Sequence, residues 1–478
     1  MPNAQLTALG LAASLALALG AAPPQKGALV WSPRWEDAFA AATAEKKIVF
    51  LAINMDGEAA NERLATKVYS DPQVVAASKL TVNLIASRFE HAAEGKPCAR
   101  FGGLTCTEHR RIEGAARDSV LKSDSAGFTV APQHIFLSSD GAVLLSVPYE
   151  VSAQELVWCF HEALAAVDPA AAKQIQASGR APRRLIKGGV FDPSVIPGAN
   201  LAPPTREEVL AIVKEMKASL WSANRLQSIQ RLLLSSEPEA IEQIESELRN
   251  DFFGRRGWVQ GDPTNPDGGR GADYKDRLMH AIGVLSPHAY SKLVVEFLDH
   301  DDDKLRHEAI VALEQLAAPD SVSAITRAIG KEKDPVRRKD LYRALGSAGA
   351  NDEKARKTLL KALTSEKDAL VRRNALFALG WFPPNPESDK ALAEALRKGA
   401  AEERSAAALA TALSRHDAWI ETVKQAEAAE ENPEVKECLT AASGVLGGAG
   451  ITTLRACVRR VCEDELEREK LFGVAQGQ

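Results

Sequence analysis

Six basic residues recur at almost constant intervals along the C-terminal half of the chain. Successive intervals are 31, 32, 34, 32 and 32 residues, and the six positions are Lys275, Arg306, Arg338, Arg372, Arg404 and Lys436. Alanine stands six residues after every one of them, and glycine stands eight residues after four. A period of this length indicates stacked helical repeats, each of which buries its apolar face only against its neighbours.

Each part of the repeat has a physical use. Aspartate precedes three of the basic residues by four positions, at Asp302, Asp334 and Asp368, where it can cap a helix and complement its dipole. The basic residue one turn later can meet that aspartate or an aspartate of the adjoining repeat. The small residues let neighbouring helices approach closely. The last two copies lack the aspartate, which indicates an array that decays toward its C-terminus.

This pattern resembles HEAT repeats of the short type associated with PBS lyases. The resemblance covers residues 272–450 and implies an all-α solenoid, a fold whose usual role is contact with other proteins. The composition suits it, since charged residues make up 26% of the chain and aromatic residues only 5%. A formal net charge of -5 gives no electrostatic reason to expect a nucleic-acid partner.

An apolar run of leucine and alanine occupies residues 6–22 and ends in small residues before Pro23. It resembles a secretory signal peptide, although no lysine or arginine precedes it. We therefore expect residues 1–22 to be a signal peptide and the protein to be periplasmic or secreted. An uncleaved N-terminal anchor is the alternative.

Residues 27–168 alternate strand-like and helix-like segments and predict an α/β domain. Apolar runs at 47–54, 81–87, 133–139 and 143–149 suit strands, and Asp140 with Gly141 suits a hairpin turn. Residues 35–44 and 152–167 suit helices. The order of these segments resembles thioredoxin-like proteins. That resemblance makes Pro132 the candidate cis-proline.

Thioredoxin-like proteins carry a Cys-x-x-Cys pair at the start of the helix that follows the first long strand. There the helix dipole makes one thiol reactive. The matching positions in this chain are Glu58 and Asn61, and residues 54–61 contain no cysteine. The resemblance therefore implies the fold without its usual disulfide exchange.

The remaining segments complete the predicted organisation. Residues 169–204 are rich in alanine, glycine and proline and predict a linker. A helical region follows at 205–253, then a loop at 254–271, the repeats at 272–450, and a C-terminal capping helix and tail at 451–478.

An insertion after the second strand carries Cys98, Cys106 and His109. In an exported protein the sequence favours a disulfide between the two cysteines. A metal site that uses both thiolates, His109 and His91 is one alternative, and a redox pair displaced from the usual position is another.

These features favour a non-catalytic protein-binding scaffold outside the cytoplasm, with no cofactor, no catalytic residue and another protein as its partner. The alternative function is a thiol–disulfide redox protein that acts through Cys98 and Cys106.

Overall fold

The computed structural model describes residues 29–123, 127, 129–192, 203–218, 225–250, 272–449 and 451–463. The expected signal segment, the loop at 254–271 and the end of the C-terminal tail lie outside these residues. Buried apolar side chains form two separate cores. One belongs to an N-terminal unit with a small mixed sheet, and the other runs through a helical region. Within the described ranges, no helix has the length and apolarity to cross a membrane.

The N-terminal unit is built around a five-stranded sheet. Its strands are β1 (Ile48–Ile53), β2 (Thr81–Ala86), β3 (Gln133–Leu137), β4 (Val143–Pro148) and β5 (Ile186–Lys187). They lie in the order β2-β1-β3-β4-β5. Strand β1 pairs parallel to β2 and antiparallel to β3. All six residues of β1 are buried, which explains why its sequence is a continuous apolar run.

Six helices accompany this sheet. They are α1 (Trp35–Glu45), α2 (Ala59–Thr66), α3 (Pro72–Ser78), α4 (Cys106–Ser119), α5 (Ala153–Ala165) and α6 (Pro169–Ala172). Thr105 and Ser152 begin α4 and α5 with capping boxes, in which the glutamate three residues on returns a bond to the cap. The Ala131–Pro132 peptide bond, directly before β3, is cis.

The predicted linker is not a free connection. Its α6 packs on α5, and its β5 adds a strand to the edge of the sheet beside β4. This strand is too short, at two residues, to be predicted from an apolar pattern.

The rest of the described chain is helical. It begins with α7 (Arg206–Ala218), α8 (Arg225–Leu233) and α9 (Pro238–Arg249). The first helices of the repeats are α10 (Ala272–Leu285), α12 (Asp303–Leu316), α14 (Pro335–Ala348), α16 (Ala369–Ala378), α18 (Ala401–Ser414) and α20 (Pro433–Leu446). The second helices are α11 (Ser291–Val295), α13 (Val322–Lys331), α15 (Glu353–Ser365), α17 (Pro386–Lys398) and α19 (Trp419–Ala429). A final helix, α21 (Arg455–Cys462), follows.

First helices of successive repeats pack side by side, from α10 to α20. Glycine and alanine, which recur at the same positions of successive repeats, allow this close contact between helices. A Cβ on Gly346 would lie 2.7 Å from the Cβ of Ala378, and a Cβ on Gly380 would lie 2.7 Å from the Cα of Ala410. Gly283, Gly346 and Gly380, near the C-terminal ends of α10, α14 and α16, therefore mark close approaches between neighbouring first helices.

The repeated aspartates cap first helices. Asp302, Asp334 and Asp368 each accept a hydrogen bond from a backbone N–H two residues later, and Asn432 does the same for α20. Ala400, which has no side-chain acceptor, begins α18, and the Glu403 carboxylate accepts from its backbone N–H instead.

The repeated arginines join one repeat to the next. Arg338 donates to Glu366, and Arg404 donates to Glu430, with N–O distances from 2.5 to 3.0 Å. Arg372 reaches Glu403 at 3.2 Å. Each also donates to a backbone carbonyl five or six residues earlier. The arginines are thus structural, and their main partner is a glutamate of the following repeat.

Candidate functional site

The loop after β1 leads into α2, whose first turn holds the positions of the absent cysteine pair. Glu58 is the N-cap of α2, and Asn61 is fully buried. Asn61 accepts a hydrogen bond from the Met55 N–H at 2.9 Å and donates to Glu58 at 3.3 Å. Asn61 therefore fixes the loop by hydrogen bonds, and neither residue offers a group that exchanges disulfides.

The helical region covers this end of α2. The Glu237 carboxylate, just before α9, accepts a hydrogen bond from the Ala59 N–H at 2.7 Å. Glu237 therefore satisfies a free N–H of the α2 terminus, where a negative charge is favoured by the helix dipole. Burial and the nearby Glu237 carboxylate together raise the pKa of Glu58 to about 7, although the hydrogen bond from Asn61 acts against them.

A second contact lies beside the first. Arg63, in α2, donates to both oxygens of Glu150 at 2.5 and 2.7 Å. The Ser236 hydroxyl donates to the same carboxylate at 2.6 Å. These bonds join α2, the end of β4 and the approach to α9. The N-terminal end of α2 is thus an internal joint of the chain.

The segment at 173–183 holds a second boundary between the two units. It crosses the ends of the first helices from the last repeats toward the first. Lys173 pairs with Asp417 at 3.2 Å, Ser178 donates to Asn351 at 2.5 Å, and Arg180 pairs with Glu314 at 3.3 Å.

Arg183 ends this crossing. Its guanidinium donates to the carbonyls of Val284 at 2.7 Å and Gly283 at 2.6 Å, near the end of α10. It also donates to the carbonyl of Gln315, near the end of α12. One cation thus neutralises the negative ends of two helix dipoles, and nothing in the sequence distinguished this arginine from its neighbours.

Four potential metal ligands converge in the insertion after β2. They are the sulfurs of Cys98 and Cys106 and one ring nitrogen each of His91 and His109, and all four atoms lie within 4.8 Å of one another. Cys98 and Cys106 are 2% and 6% exposed, and His109 is fully buried. The structure thus brings together the three residues singled out from the sequence and His91, which the sequence offered only for the metal alternative.

Local structure explains this convergence. Cys106 and His109 are one turn apart at the start of α4, so they share a face of that helix. Cys98 begins a tight loop in which its N–H donates to Leu104 O at 2.5 Å. Gly102 and Gly103 adopt positive φ angles of 65° and 68° there, which glycine does without strain.

Hydrogen bonds orient both histidine rings toward the sulfurs. Nε2 of His91 lies 3.0 Å from both oxygens of Asp56, which leaves Nδ1 facing Cys98 Sγ at 3.3 Å and Cys106 Sγ at 4.0 Å. Nδ1 of His109 donates to Ser87 O at 2.8 Å. Its Nε2 is buried and has no hydrogen-bond partner among the residues that the structure describes.

The structure does not contain the Cys98–Cys106 disulfide that the sequence favoured, since both residues are free cysteines. Burial raises the pKa of the Cys98 thiol, and proximity to Cys106 raises it further, while backbone hydrogen bonds from the loop act against both. The other four cysteines, Cys159, Cys438, Cys457 and Cys462, are also free and buried.

Comparison with known proteins identifies the helical part. The HEAT repeats family matches residues 291–380 and 338–414. A search of curated proteins finds no match to this chain.

Solved structures with similarity to the chain share little sequence with it. Human deoxyhypusine hydroxylase in complex with glycerol is 21% identical, with a TM-score of 0.21, over 54% of this chain and 94% of that one. The complex of CpcE and CpcF of phycocyanin lyase from Nostoc is 17% identical, with a TM-score of 0.29, over 57% of this chain and 99% of that one. An engineered protein is 18% identical, with a TM-score of 0.26, over 52% of this chain and 71% of that one.

At these identities and TM-scores, no activity, ligand or partner transfers to this chain. The family match and the stacked helices are enough to establish that the protein contains a HEAT-repeat region, a helical repeat structure suited to protein contact.

Proposed function

We propose that the protein is an extracytoplasmic scaffold whose second helices bind an acidic surface of another protein. The observation that carries this proposal is that the first helices of the repeats are less exposed to solvent than the second helices. The first helices α12 to α18 are largely enclosed by the chain itself, whereas α13 and α15 present an exposed basic face.

Two other parts of the chain, segment 173–183 and α21, bury the first helices. All ten residues from Lys339 to Ala348 in α14 are buried. Segment 173–183 lies at the ends of these helices, and α21 packs on α16 and α18. Polar groups are buried there in pairs, such as Arg343 with Glu314 at 2.9 Å. A partner therefore finds little of the first-helix row accessible.

The second helices α13 and α15, by contrast, carry exposed basic residues. Lys354, Lys357 and Lys361 are exposed on one face of α15, three and four residues apart, and Arg327 is exposed on the adjacent α13. The residues with which these helices pack inward are apolar, such as Leu359. In a chain of net charge -5, a local basic face selects acidic partners and steers their approach.

The test compares two charge-reversed variants of the full chain. One carries Lys354→Glu, Lys357→Glu and Lys361→Glu, and the control carries three reversals of exposed lysines in the N-terminal unit, at Lys67, Lys79 and Lys122. Each is used to capture proteins from the exported fraction of the source cells. A partner retained by the wild type and the control, lost by the α15 variant and released by salt supports the proposal. Equal capture by both variants, or no partner at all, overturns it.

The N-terminal unit is, in this proposal, a thioredoxin-like domain that no longer exchanges disulfides. Three features support the assignment: the order and directions of β1 to β4, the cis peptide bond before β3, and α2 directly after β1. Glu58 and Asn61 replace the reactive pair, and Glu237 covers their helix end. We expect no insulin reductase activity above background, and activity that Cys98→Ser abolishes would favour the redox alternative.

The proposed location rests on residues 6–22 alone. Fractionation of cells that produce the full chain tests it, together with N-terminal sequencing of the mature protein. Recovery of the intact chain in the cytoplasm would contradict export, and recovery of an uncleaved chain with membranes would favour the anchor.

A further inference from the structure

The geometry points to a structural zinc centre formed by His91, Cys98, Cys106 and His109. We infer that the four side chains bind one Zn²⁺ and that the ion closes the insertion between β2 and α4. The inference concerns the N-terminal unit only and does not depend on the proposed scaffold function.

The donor set selects the metal. Two thiolates and two imidazoles form the S₂N₂ set that is typical of tetrahedral zinc. With the usual Zn–S and Zn–N distances, the ligand atoms of such a site lie about 3.3–3.8 Å apart. Here Nδ1 of His91 lies 3.3 Å from Cys98 Sγ and 4.0 Å from Cys106 Sγ, and no pair among the four exceeds 4.8 Å. Small side-chain shifts complete the tetrahedron.

The histidine tautomers are already set for a metal. A carbonyl only accepts hydrogen bonds, so Nδ1 of His109 must carry the proton that Ser87 O receives, and Nε2 keeps a lone pair. The Asp56 carboxylate likewise accepts a hydrogen bond from the Nε2–H of His91, so the lone pair of that ring is on Nδ1. Zinc-bound histidines commonly make these two bonds, to a carbonyl and to a carboxylate.

The buried lone pair of His109 needs a partner. It has none among the described residues, and a buried acceptor without a hydrogen-bond partner destabilises the fold. A zinc ion supplies the partner. Two thiolates also cancel its charge, so the buried centre is neutral and avoids the cost of an isolated buried ion. The His91 N–H, which lies 3.1 Å from Cys106 Sγ, is placed to donate to that thiolate.

The centre would connect to the internal joint described above. Asp56 lies in the loop that leads from β1 to Glu58, and Arg100 of the insertion donates to the Asn54 side chain at 3.0 and 3.2 Å and to Asn61 O at 3.2 Å. A metal that fixes the insertion therefore also fixes the loop on which Glu237 docks. Its role is to hold structure, since all four positions of the tetrahedron are protein ligands.

The test uses the full chain purified from the exported fraction without added metal. Metal analysis should give one zinc per chain. After removal of zinc under reducing conditions, Co²⁺ should restore one ion per chain and produce the visible bands of tetrahedral cobalt with thiolate-to-cobalt charge transfer. Cys98→Ser should lose these signals, and the control Cys159→Ala, which removes a buried cysteine outside the cluster, should keep them.

A milder variant guards against a failure to fold. Asp56→Asn leaves all four ligands in place and weakens the carboxylate bond to His91, so it should bind cobalt about 10–100-fold more weakly than the wild type. Wild-type protein that is reduced, folded and unable to bind Zn²⁺ or Co²⁺ would overturn the inference. A native Cys98–Cys106 disulfide, found by mass spectrometry in metal-free protein, would overturn it equally.

Discussion

Gly346 tests whether backbone contact between first helices sets the spacing of the repeats. In Gly346→Ala, the new Cβ would stand 2.7 Å from the Cβ and the carbonyl oxygen of Ala378. Ordinary contacts between carbon atoms lie at about 3.5–4.0 Å. Helices α14 and α16 would therefore have to separate by about 1 Å, and both are packed on other repeats.

The magnitude follows from two opposing terms. Overpacking of this kind costs about 1–3 kcal/mol, whereas replacing a helical glycine by alanine gains about 0.5–1 kcal/mol. Gly444, in α20, provides the matched control, because its added Cβ would meet only Ala449 at 3.8 Å. Gly444→Ala should therefore be neutral or stabilising, and Gly346→Ala should be less stable than Gly444→Ala by about 1–3 kcal/mol.

Urea denaturation followed by far-ultraviolet circular dichroism measures this difference. Because repeat stability is close to a sum of unit and interface terms, the loss should appear in the transition of the helical region. A third variant, Ala378→Gly in the Gly346→Ala background, removes one of the two clashing atoms and should recover part of the loss. Equal stability of the Gly346 and Gly444 variants would refute the argument.

Three further outcomes follow from buried contacts. The folded protein holds a proton on Glu58 more tightly than the unfolded chain does, since its pKa is raised from 4.5 to about 7. The free energy of unfolding should therefore fall by about 2–3 kcal/mol as pH rises from 5 to 8. Glu58→Gln should remove that fall in pH-dependent urea titrations, and the exposed control Glu94→Gln should keep it. Arg183→Met leaves several helix-end carbonyls without their hydrogen-bond donor, so it should raise the rate of amide hydrogen exchange across residues 173–183. An unchanged rate would show that Arg183 does not hold this segment in place. Ala344→Leu should cost about 1–3 kcal/mol in the same urea assay, and a neutral result would mean that α14 has room at this position.

The repeat was predictable because its signals are local and recur. An aspartate that caps a helix and an alanine that faces the next helix act within one or two turns, so their spacing can be read along the chain. The glutamate partners of the arginines were also present in the sequence. Glu366 and Glu430 lie two residues before the caps Asp368 and Asn432, and Glu403 lies in the first turn of α18. A contact with the adjoining repeat was among the expectations, but the expected partner was an aspartate, whereas the observed partner is a glutamate.

The candidate metal centre was only partly predictable. Cys98, Cys106 and His109 are near in sequence, but the spacing matches no common zinc pattern, and an exported chain favours disulfides. The decisive information is in the orientation of the rings, which Asp56 and Ser87 set from other parts of the fold. Glu237 lies 178 residues from Ala59, and no sequence pattern relates the two.

The joint at Glu58 supports the proposal that the N-terminal unit is a structural part of the scaffold. A reactive thiol at this helix end would need an open surface and a stabilised anion. Instead, the Ala59 N–H at this helix end donates to Glu237, and burial together with the Glu237 carboxylate favours the neutral form of Glu58. Ionisation of Glu58 brings two negative charges to one helix end, so the contact between the two units should loosen as pH rises above about 7. A surface evolved for substrate exchange would not be closed by the chain's own carboxylate, whereas a permanent joint gains from it, because the free end of α2 is satisfied without water.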